Sequence, residues 1–273
     1  MLVFPNCKIN LGLQITCKRA DGYHDLETVF YPVPFTDALE IIARSTHQTE
    51  LEFTVTGLAV EGNAQDNLCL KAYHLLKSDF PFLPAVKMHL HKTIPMGAGL
   101  GGGSADAAFM LMALNTTFEL NLTTPQLLNY ALRLGSDCPF FILNKPCVAT
   151  GRGDLLEPIA VDLSMYKMVL VNPGIHINTG WAFSKIRPAP SKKSIAVIIQ
   201  QPIETWHADL HNDFEVPVFE AHPQIKEIKE TLYQQGALYA AMSGSGSTVY
   251  GIFNTSIDLT PLKDRNYFIK FIN

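Results

Sequence analysis

Pro95-Met96-Gly97-Ala98-Gly99-Leu100-Gly101-Gly102-Gly103-Ser104-Ala105-Asp106-Ala107-Ala108 places five glycines within seven residues, behind a proline and ahead of a run of helix formers. Glycine reaches backbone angles closed to other residues and has no side chain to hold a ligand away from its N–H group. A glycine loop that opens directly into a helix aims several amide donors, and the positive end of the helix dipole, at one point. That arrangement grips phosphate. A turn that merely joined a strand to a helix would need only one or two glycines.

Two motif frames fit the loop in part. Gly97, Gly99 and Gly102 satisfy G-x-G-x-x-G, the dinucleotide fingerprint, which also needs a second strand with an acidic residue about twenty positions on. The chain runs instead through residues 109–114 into Glu119-Leu120-Asn121-Leu122 and a further helical pattern. Gly97, Gly102 and Ser104 fit the frame of G-x-x-x-x-G-K-[ST], but Gly103 stands where the lysine belongs. A nucleotide site on this loop must draw its positive charge from elsewhere.

Working outward, residues 86–94 read as the strand that delivers the chain to the loop. Residues 7–17, 26–33, 37–43 and 51–55 read as further strands. Asn67 heads a helical pattern through Leu68, Ala72, Leu75 and Leu76. Thr124-Pro125 opens a helix with Leu127, Leu128, Ala131, Leu132 and Leu134 on its apolar face and Gly135 at the expected C′ stop. Residues 140–143 and 147–150 close this first portion. A second begins near Gly151-Arg152-Gly153-Asp154, with a strand at 168–171 and a proline- and lysine-bearing loop at 187–193. An amphipathic helix at 223–235 follows, ended by Gly236, and then strands at 237–242 and 248–253 flank Ser243-Gly244-Ser245-Gly246-Ser247. The expected division is therefore 1–150 and 151–273.

Bulk composition narrows the class. With 273 residues, 47% hydrophobic and 17% charged, the chain suits one large or two ordinary domains with packed cores rather than a disordered state. A net charge of −4 gives no general attraction for nucleic acid. No apolar run reaches membrane length, and the first residues lack a basic start and apolar core, so a cytoplasmic location is expected. Five cysteines without paired metal-site spacing fit reduced thiols. Cys138, next to an acid, reads as a buried small hydrophobe.

Three further segments carry residue types suited to chemistry. In Asn6-Cys7-Lys8-Ile9-Asn10-Leu11, strand alternation puts Lys8 and Asn10 on one face, where they either reach a cleft together or meet solvent. In Ala20-Asp21-Gly22-Tyr23-His24-Asp25, the Asp-Gly turn throws an aromatic ring and an imidazole outward side by side. Together they can stack on, and hydrogen-bond to, a planar ring. In Leu134-Gly135-Ser136-Asp137-Cys138-Pro139, an acid falls among apolar residues after a helix stop, either as a cap or as a half-buried functional carboxylate.

Taken together, the glycine loop, Lys8-Ile9-Asn10-Leu11, Gly135-Ser136-Asp137-Cys138-Pro139 and Met242-Ser243-Gly244-Ser245-Gly246 resemble the GHMP kinase superfamily along the whole chain. Arg19-Ala20-Asp21-Gly22-Tyr23-His24 resembles the branch that phosphorylates the 2-hydroxyl of a small-molecule substrate, a diphosphocytidyl methylerythritol. The resemblance implies an α+β fold of two domains, ribosomal S5 domain 2-like then ferredoxin-like, with ATP and Mg²⁺ as cofactors. It implies that Pro95, Met96, Gly97, Ala98, Gly99, Leu100, Gly101, Gly102, Gly103, Ser104 and Ala105 wrap the ATP phosphates, with Asn67 near the base of ATP. Asp137 would be the catalytic base, with Lys8 beside it. Tyr23 and His24 would hold the cytosine, with Phe183 stacking on its other face. Asn10 would position the substrate, and Gly244 and Ser245 would close its end of the site.

A carboxylate that takes a proton from an alcohol must be ionised at neutral pH, and a neighbouring ammonium favours that form. Ser104 is the hydroxyl placed to touch the metal, which nucleotide oxygens and water would largely hold. Two positions depart from the family pattern: Ala98, which needs a negative φ, and Asp106, which is expected to point outward because an inward carboxylate would repel triphosphate. Other readings are a mevalonate- or sugar-type kinase, an S5-like nucleic-acid-binding module and a non-catalytic nucleotide binder. The expected partners are small molecules, without nucleic acid or membrane, and the expected assembly is a monomer or homodimer.

Overall fold

Apolar alternation builds the strands, and long-range pairing sorts them into three four-stranded sheets. This computed structural model describes residues 1–43, 51–60, 62–191, 193–255, 257–263 and 265–272. Lys192, within the expected loop at 187–193, lies outside them. The strands are β1 (Leu2–Val3), β2 (Asn6–Lys18), β3 (His24–Thr36), β4 (Ala38–Ala43), β5 (Glu52–Gly57), β6 (Val86–Lys92), β7 (Cys147–Thr150), β8 (Leu155–Pro158), β9 (Lys167–Asn172), β10 (Tyr239–Met242), β11 (Val249–Phe253) and β12 (Phe268–Ile272). The helices that matter below are α1 (Leu68–Asp79), α2 (Gly102–Thr117), α3 (Thr124–Leu134), α4 (Cys138–Leu143), α5 (Thr179–Lys185), α6 (Glu215–Ala221) and α7 (Pro223–Gln234).

Contacts divide the chain into two compact units that interleave along the sequence. The first comprises Met1–Cys7, Pro34–Met96 and Gly101–Asn144; the second comprises Lys8–Val33, Gly97–Leu100 and Lys145–Asn273. These units are not consecutive halves, because β2 and β3 each begin in one and end in the other.

In the first unit the sheet order is β1-β4-β6-β5, antiparallel except for the parallel β5–β6 pair. Its core joins Leu39, Ile41, Met88 and Leu90 from the sheet to Leu76, Met110, Leu111 and Leu114 from α1 and α2. Helix α2 is apolar on nearly every side, since Ala105, Ala107, Ala108, Met110, Leu111, Ala113 and Leu114 are all buried. Asn67 caps α1 as expected, accepting a hydrogen bond from the Cys69 amide at 2.9 Å. Helix α3 starts at Thr124-Pro125 behind a Thr123–Gln126 capping box. Its end differs from the expectation. Gly135 has φ 170 and is extended rather than left-handed, so the Cα geometry of a C′ glycine is absent. Among the described residues a Cβ there would meet only the Cys138 sulfur, at 3.4 Å, which is ordinary van der Waals contact.

In the second unit the sheet order β10-β11-β9-β12 is antiparallel throughout. Val169, Val171, Ala240, Met242 and Val249 meet Val218 of α6 and Ile225, Ile228 and Leu232 of α7 in its core. The third sheet, β2-β3-β7-β8, contributes Leu13 and Ile15 to the same core.

Candidate active site

The site residues divide between the two units. In the first, the helix α2 opens without a side-chain cap: Gly101 is its N-cap, in the left-handed region, and makes no side-chain capping bond among the described residues. Those donors are therefore available to an anion. Gly102 permits a close approach, because a Cβ there would lie 3.0 Å from Ile94 and 3.3 Å from the Lys92 ammonium. Pro95, Gly103 and Ser104 are half-buried, Met96 is exposed and Ala105 is buried.

Lys92 is the residue the motif frames did not find. Its ammonium is buried and bonds to Asp37, and also to Asp106 at 2.8 Å. The sequence held a signal: Val86, Met88, Leu90 and Lys92 are the buried positions of alternating β6, so Lys92 stands in phase with the core face. A lysine there needs buried acids. Asp37 supplies one, and its Oδ1 also accepts from the Thr93 amide at 2.6 Å and the Ile94 amide at 2.9 Å.

Asp106 corrects the sequence expectation. It points inward, is buried, and shares Lys92 with Asp37. The reason is helix α2 itself, whose buried neighbours leave position 106 no solvated face. One of its oxygens, Oδ1, is buried without a hydrogen-bond partner. Burial raises its pKa most, Lys92 pulls it down, and Asp37 pushes it up, leaving it at about 7. Lys92 is driven down by burial, but Asp106 and Asp37 outweigh that and leave it raised. Two carboxylates facing one ammonium carry an excess negative charge, and a proton on Asp106 removes it.

Beside this cluster lies a cavity of about 640 Å³ lined by Val55, Leu58, Asn67, Lys92, Gly103 and Asp106 among others. Asn67 thus lies at the cavity, although its carbonyl oxygen is committed to capping α1. Asp137 is the half-buried N-cap of α4 but makes no side-chain capping bond, so capping does not account for it. Cys138 is buried; burial pushes its thiol up to about 12, against a hydrogen bond with Ser104. It packs as a small hydrophobe, as expected.

In the second unit Lys8 and Asn10 are both buried, which removes the reading of a solvated strand face. Lys8 Nζ donates to Asn10 Oδ1 at 2.5 Å and stands 4.8 Å from the Phe30 ring centre. Asn10 donates to Thr28 Oγ1 at 3.0 Å, and its backbone N–H donates to Ser243 Oγ at 3.2 Å. Ser243 Oγ in turn donates to the Gly99 carbonyl at 2.8 Å. Gly97 and Gly99 lie in the left-handed region, and Ala98 does not. At Gly99 the requirement is doubled, because a Cβ would fall 2.0 Å from the Ser243 carbonyl oxygen. Asn212, which the sequence reading missed, ties the following loop by donating to the carbonyls of Met242 at 2.7 Å and Gly244 at 2.8 Å. Ser245 Oγ lies 3.2 Å from Thr179 Oγ1 at the start of α5.

The β2–β3 turn is braced by Arg19, whose guanidinium donates to Asp21 at 3.1 Å and Asp25 at 2.8 Å. The Tyr23 amide, with Arg19, holds the Asp21 carboxyl below its usual range. Tyr23 is 57% exposed. His24 stacks directly on Phe183, with ring centres 4.9 Å apart and planes 16° from parallel, and Phe183 meets Phe214 edge-on. The structure thus joins Lys8 with Asn10, Asn10 with the Gly99 and Ser243 loops, and His24 with Phe183.

Comparison with known proteins gives a consistent picture. The family model "GHMP kinases N terminal domain" matches residues 67–145, and "GHMP kinases C terminal" matches residues 195–265. The chain is 50% identical over 262 residues to a 4-diphosphocytidyl-2-C-methyl-D-erythritol kinase of Bacteroides fragilis, covering 96% of this chain and 95% of that protein. It is 52% identical over 255 residues to the protein of the same name from Bacteroides thetaiotaomicron, covering 93% and 92%. A crystal structure of 4-(cytidine 5'-diphospho)-2C-methyl-D-erythritol kinase is similar with a TM-score of 0.80 and 31% identity, over 92% of this chain and 90% of that one.

Proposed function

The chain belongs to the GHMP kinases, in the branch of the 4-diphosphocytidyl-2-C-methyl-D-erythritol kinases, and on that premise we propose that it phosphorylates the 2-hydroxyl of 4-diphosphocytidyl-2-C-methyl-D-erythritol from ATP, in non-mevalonate isoprenoid precursor synthesis. The observation that carries this reading is the uncapped start of α2 behind the 97–103 glycine loop, in a chain half identical to kinases of that name over nearly its whole length.

Phosphoryl transfer depends chiefly on positioning and on stabilising charge. In this reading the loop and first-turn amides from Pro95 to Ala105 hold the phosphates, and the cavity at Asn67 takes the base of ATP. Asp137 accepts the proton of the attacking 2-hydroxyl, and Lys8 keeps that carboxylate charged and polarises the alcohol. Asn10 orients the substrate through the Lys8–Asn10–Thr28 hydrogen bonds. Tyr23, His24 and Phe183 receive the cytosine, and Gly244 and Ser245 close the substrate end. Among the described residues no group of three His, Cys, Asp or Glu is placed to hold a metal ion. That suits Mg²⁺ carried by nucleotide oxygens and water, with Ser104 as the nearby hydroxyl, where it would neutralise phosphate charge. The division into an ATP-binding portion, 1–150, and a C-terminal portion, 151–273, a cytoplasmic location, and a monomer or homodimer belong to the same proposal.

An ADP-release assay tests it, comparing the diphosphocytidyl alcohol with mevalonate and galactose. Turnover of the first alone is expected; preference for either other alcohol overturns the substrate assignment. Asp137→Asn should lower kcat by roughly 10²–10⁴-fold, the usual share of a general base, with ATP binding retained. Full activity in that variant would remove Asp137 as the base.

A further inference from the structure

The turn Gly151-Arg152-Gly153-Asp154, between β7 and β8, has no part in the assignments above. Its arginine lies against the exposed aromatic ring of the candidate substrate site. The Arg152 guanidinium stands over the Tyr23 ring, 4.9 Å from its centre. Its side chain is 34% exposed, and the nearest carboxylate, Asp154, is 3.9 Å away. Asp154 Oδ1 accepts from the Arg152 backbone amide at 2.9 Å, and it is Oδ2 that stands near the guanidinium.

Among the described residues the guanidinium donates no hydrogen bond, unlike those of Arg19 and Arg265. Arg19 bonds to both Asp21 and Asp25, and Arg265 grips Glu227 with two nitrogens. A guanidinium presents a planar fork of five N–H donors that matches phosphate oxygens. About two-thirds buried, and paired with Asp154 only at 3.9 Å rather than through a hydrogen bond, it keeps N–H donors for an anion.

The backbone makes this a fixed feature. The Leu26 amide donates to the Gly151 carbonyl at 2.8 Å, and the Gly153 amide donates to the Thr150 carbonyl at 3.0 Å. The turn is thereby pinned to β3, the strand that follows Tyr23. With the guanidinium on one face of Tyr23, the other face remains for a base, and the phosphates of a nucleotide hang within a side-chain length of its base.

We propose that Arg152 is a substrate-binding residue whose guanidinium grips the diphosphate of a nucleoside-diphosphate substrate while fixing the Tyr23 ring that receives the base. This rests on the reading of Tyr23 as the base platform and adds to it the group that selects for phosphate.

Calorimetric titration of the full-length protein with cytidine, CMP and CDP tests the assignment, alongside Arg152→Gln and Arg152→Lys. In Arg152→Gln, CDP should bind about tenfold more weakly or worse, a loss of about 1.4 kcal/mol, while cytidine stays within about twofold. Arg152→Lys should recover part of the CDP affinity, since it restores charge without the fork. The KM for the diphosphocytidyl alcohol should rise while the KM for ATP holds. Equal losses for cytidine and CDP would make Arg152 only a support for Tyr23, and unchanged CDP affinity would remove it from the site; either overturns the proposal alone. A wild-type protein that binds no cytidine compound overturns the substrate reading as well.

Discussion

Replacing Asp106 by asparagine should stabilise the protein increasingly as pH rises, the opposite of what loss of a salt bridge normally does. Asp106 bonds to Lys92 at 2.8 Å, yet its pKa is raised from 3.8 to about 7 because burial and Asp37 outweigh the shared ammonium. The folded state therefore keeps a proton that the unfolded chain releases. For a carboxyl raised in this way, stability is highest below the unfolded pKa and falls as pH climbs toward the folded one, at about 1.4 kcal/mol per pH unit inside that window. Between about pH 5 and about pH 8 the linkage amounts to about 2–3 kcal/mol. Lys92, raised from an already high value, contributes no slope in this range.

Asparagine has the same shape and no proton to release, so the variant lacks that loss. Urea unfolding at several pH values, read through alkylation of buried Cys69, compares the two proteins locally. Cys69 is a suitable reporter because its thiol is buried and senses Asp106, Lys92 and Asp37. The gap between variant and wild type should move by about 2–3 kcal/mol in favour of asparagine from about pH 5 to about pH 8. A constant gap would refute the reasoning. A gap moving the other way would show an ordinary ionised pair.

Four further substitutions separate the remaining claims. Gly99→Ala combines a φ of +79 with a Cβ 2.0 Å from the Ser243 carbonyl oxygen, so it should cost well beyond the ~1 kcal/mol of left-handed strain alone and weaken ATP binding. Gly236→Ala, with φ +90 and open space around it, should cost only about that strain, which melting curves of the two variants will show. Tyr23→Ala should raise the KM for the diphosphocytidyl alcohol by roughly 5–150-fold, the range for loss of one base–aromatic stack, without moving the KM for ATP. Tyr23→Phe should stay near wild type, and an equal loss there would shift the role from ring to hydroxyl.

Local signals carried much of this fold into the sequence. The glycine loop and the helix behind it, the Asn67 cap and the Thr124-Pro125 start all depend on neighbours within a few residues. The pairing of Lys8 with Asn10 was legible for the same reason, as a two-residue strand period. Asp106 was misread because repulsion from triphosphate was weighed in place of the helix's own composition. With 105, 107, 108, 110 and 111 all buried, α2 has no polar face on which an acid could be solvated. The interleaved units were beyond such reading, since β2 and β3 are each continuous in sequence but serve two sets of long-range contacts. Phe183 on His24 and Arg152 on Tyr23 are likewise pairings across more than a hundred residues.

The missing loop lysine can now be treated as a question of charge. Lys92 sits under the first turn of α2, its ammonium 3.3 Å from where a Cβ on Gly102 would stand. Its side chain has no exposure, however, and its donors go to two carboxylates whose own exposure is 0% and 4%. Opposite charges that close cancel each other's field for anything farther away. With Asp106 protonated the cluster is neutral, and with Asp106 ionised it is negative, so in neither state does it present a cation to phosphate. Lys92 is therefore a counter-ion for Asp37 and Asp106 rather than a displaced P-loop lysine. On the proposed reading, the attraction for phosphate at this helix rests on the uncapped amides of α2 and the glycine loop, and five residues without side chains suit that role.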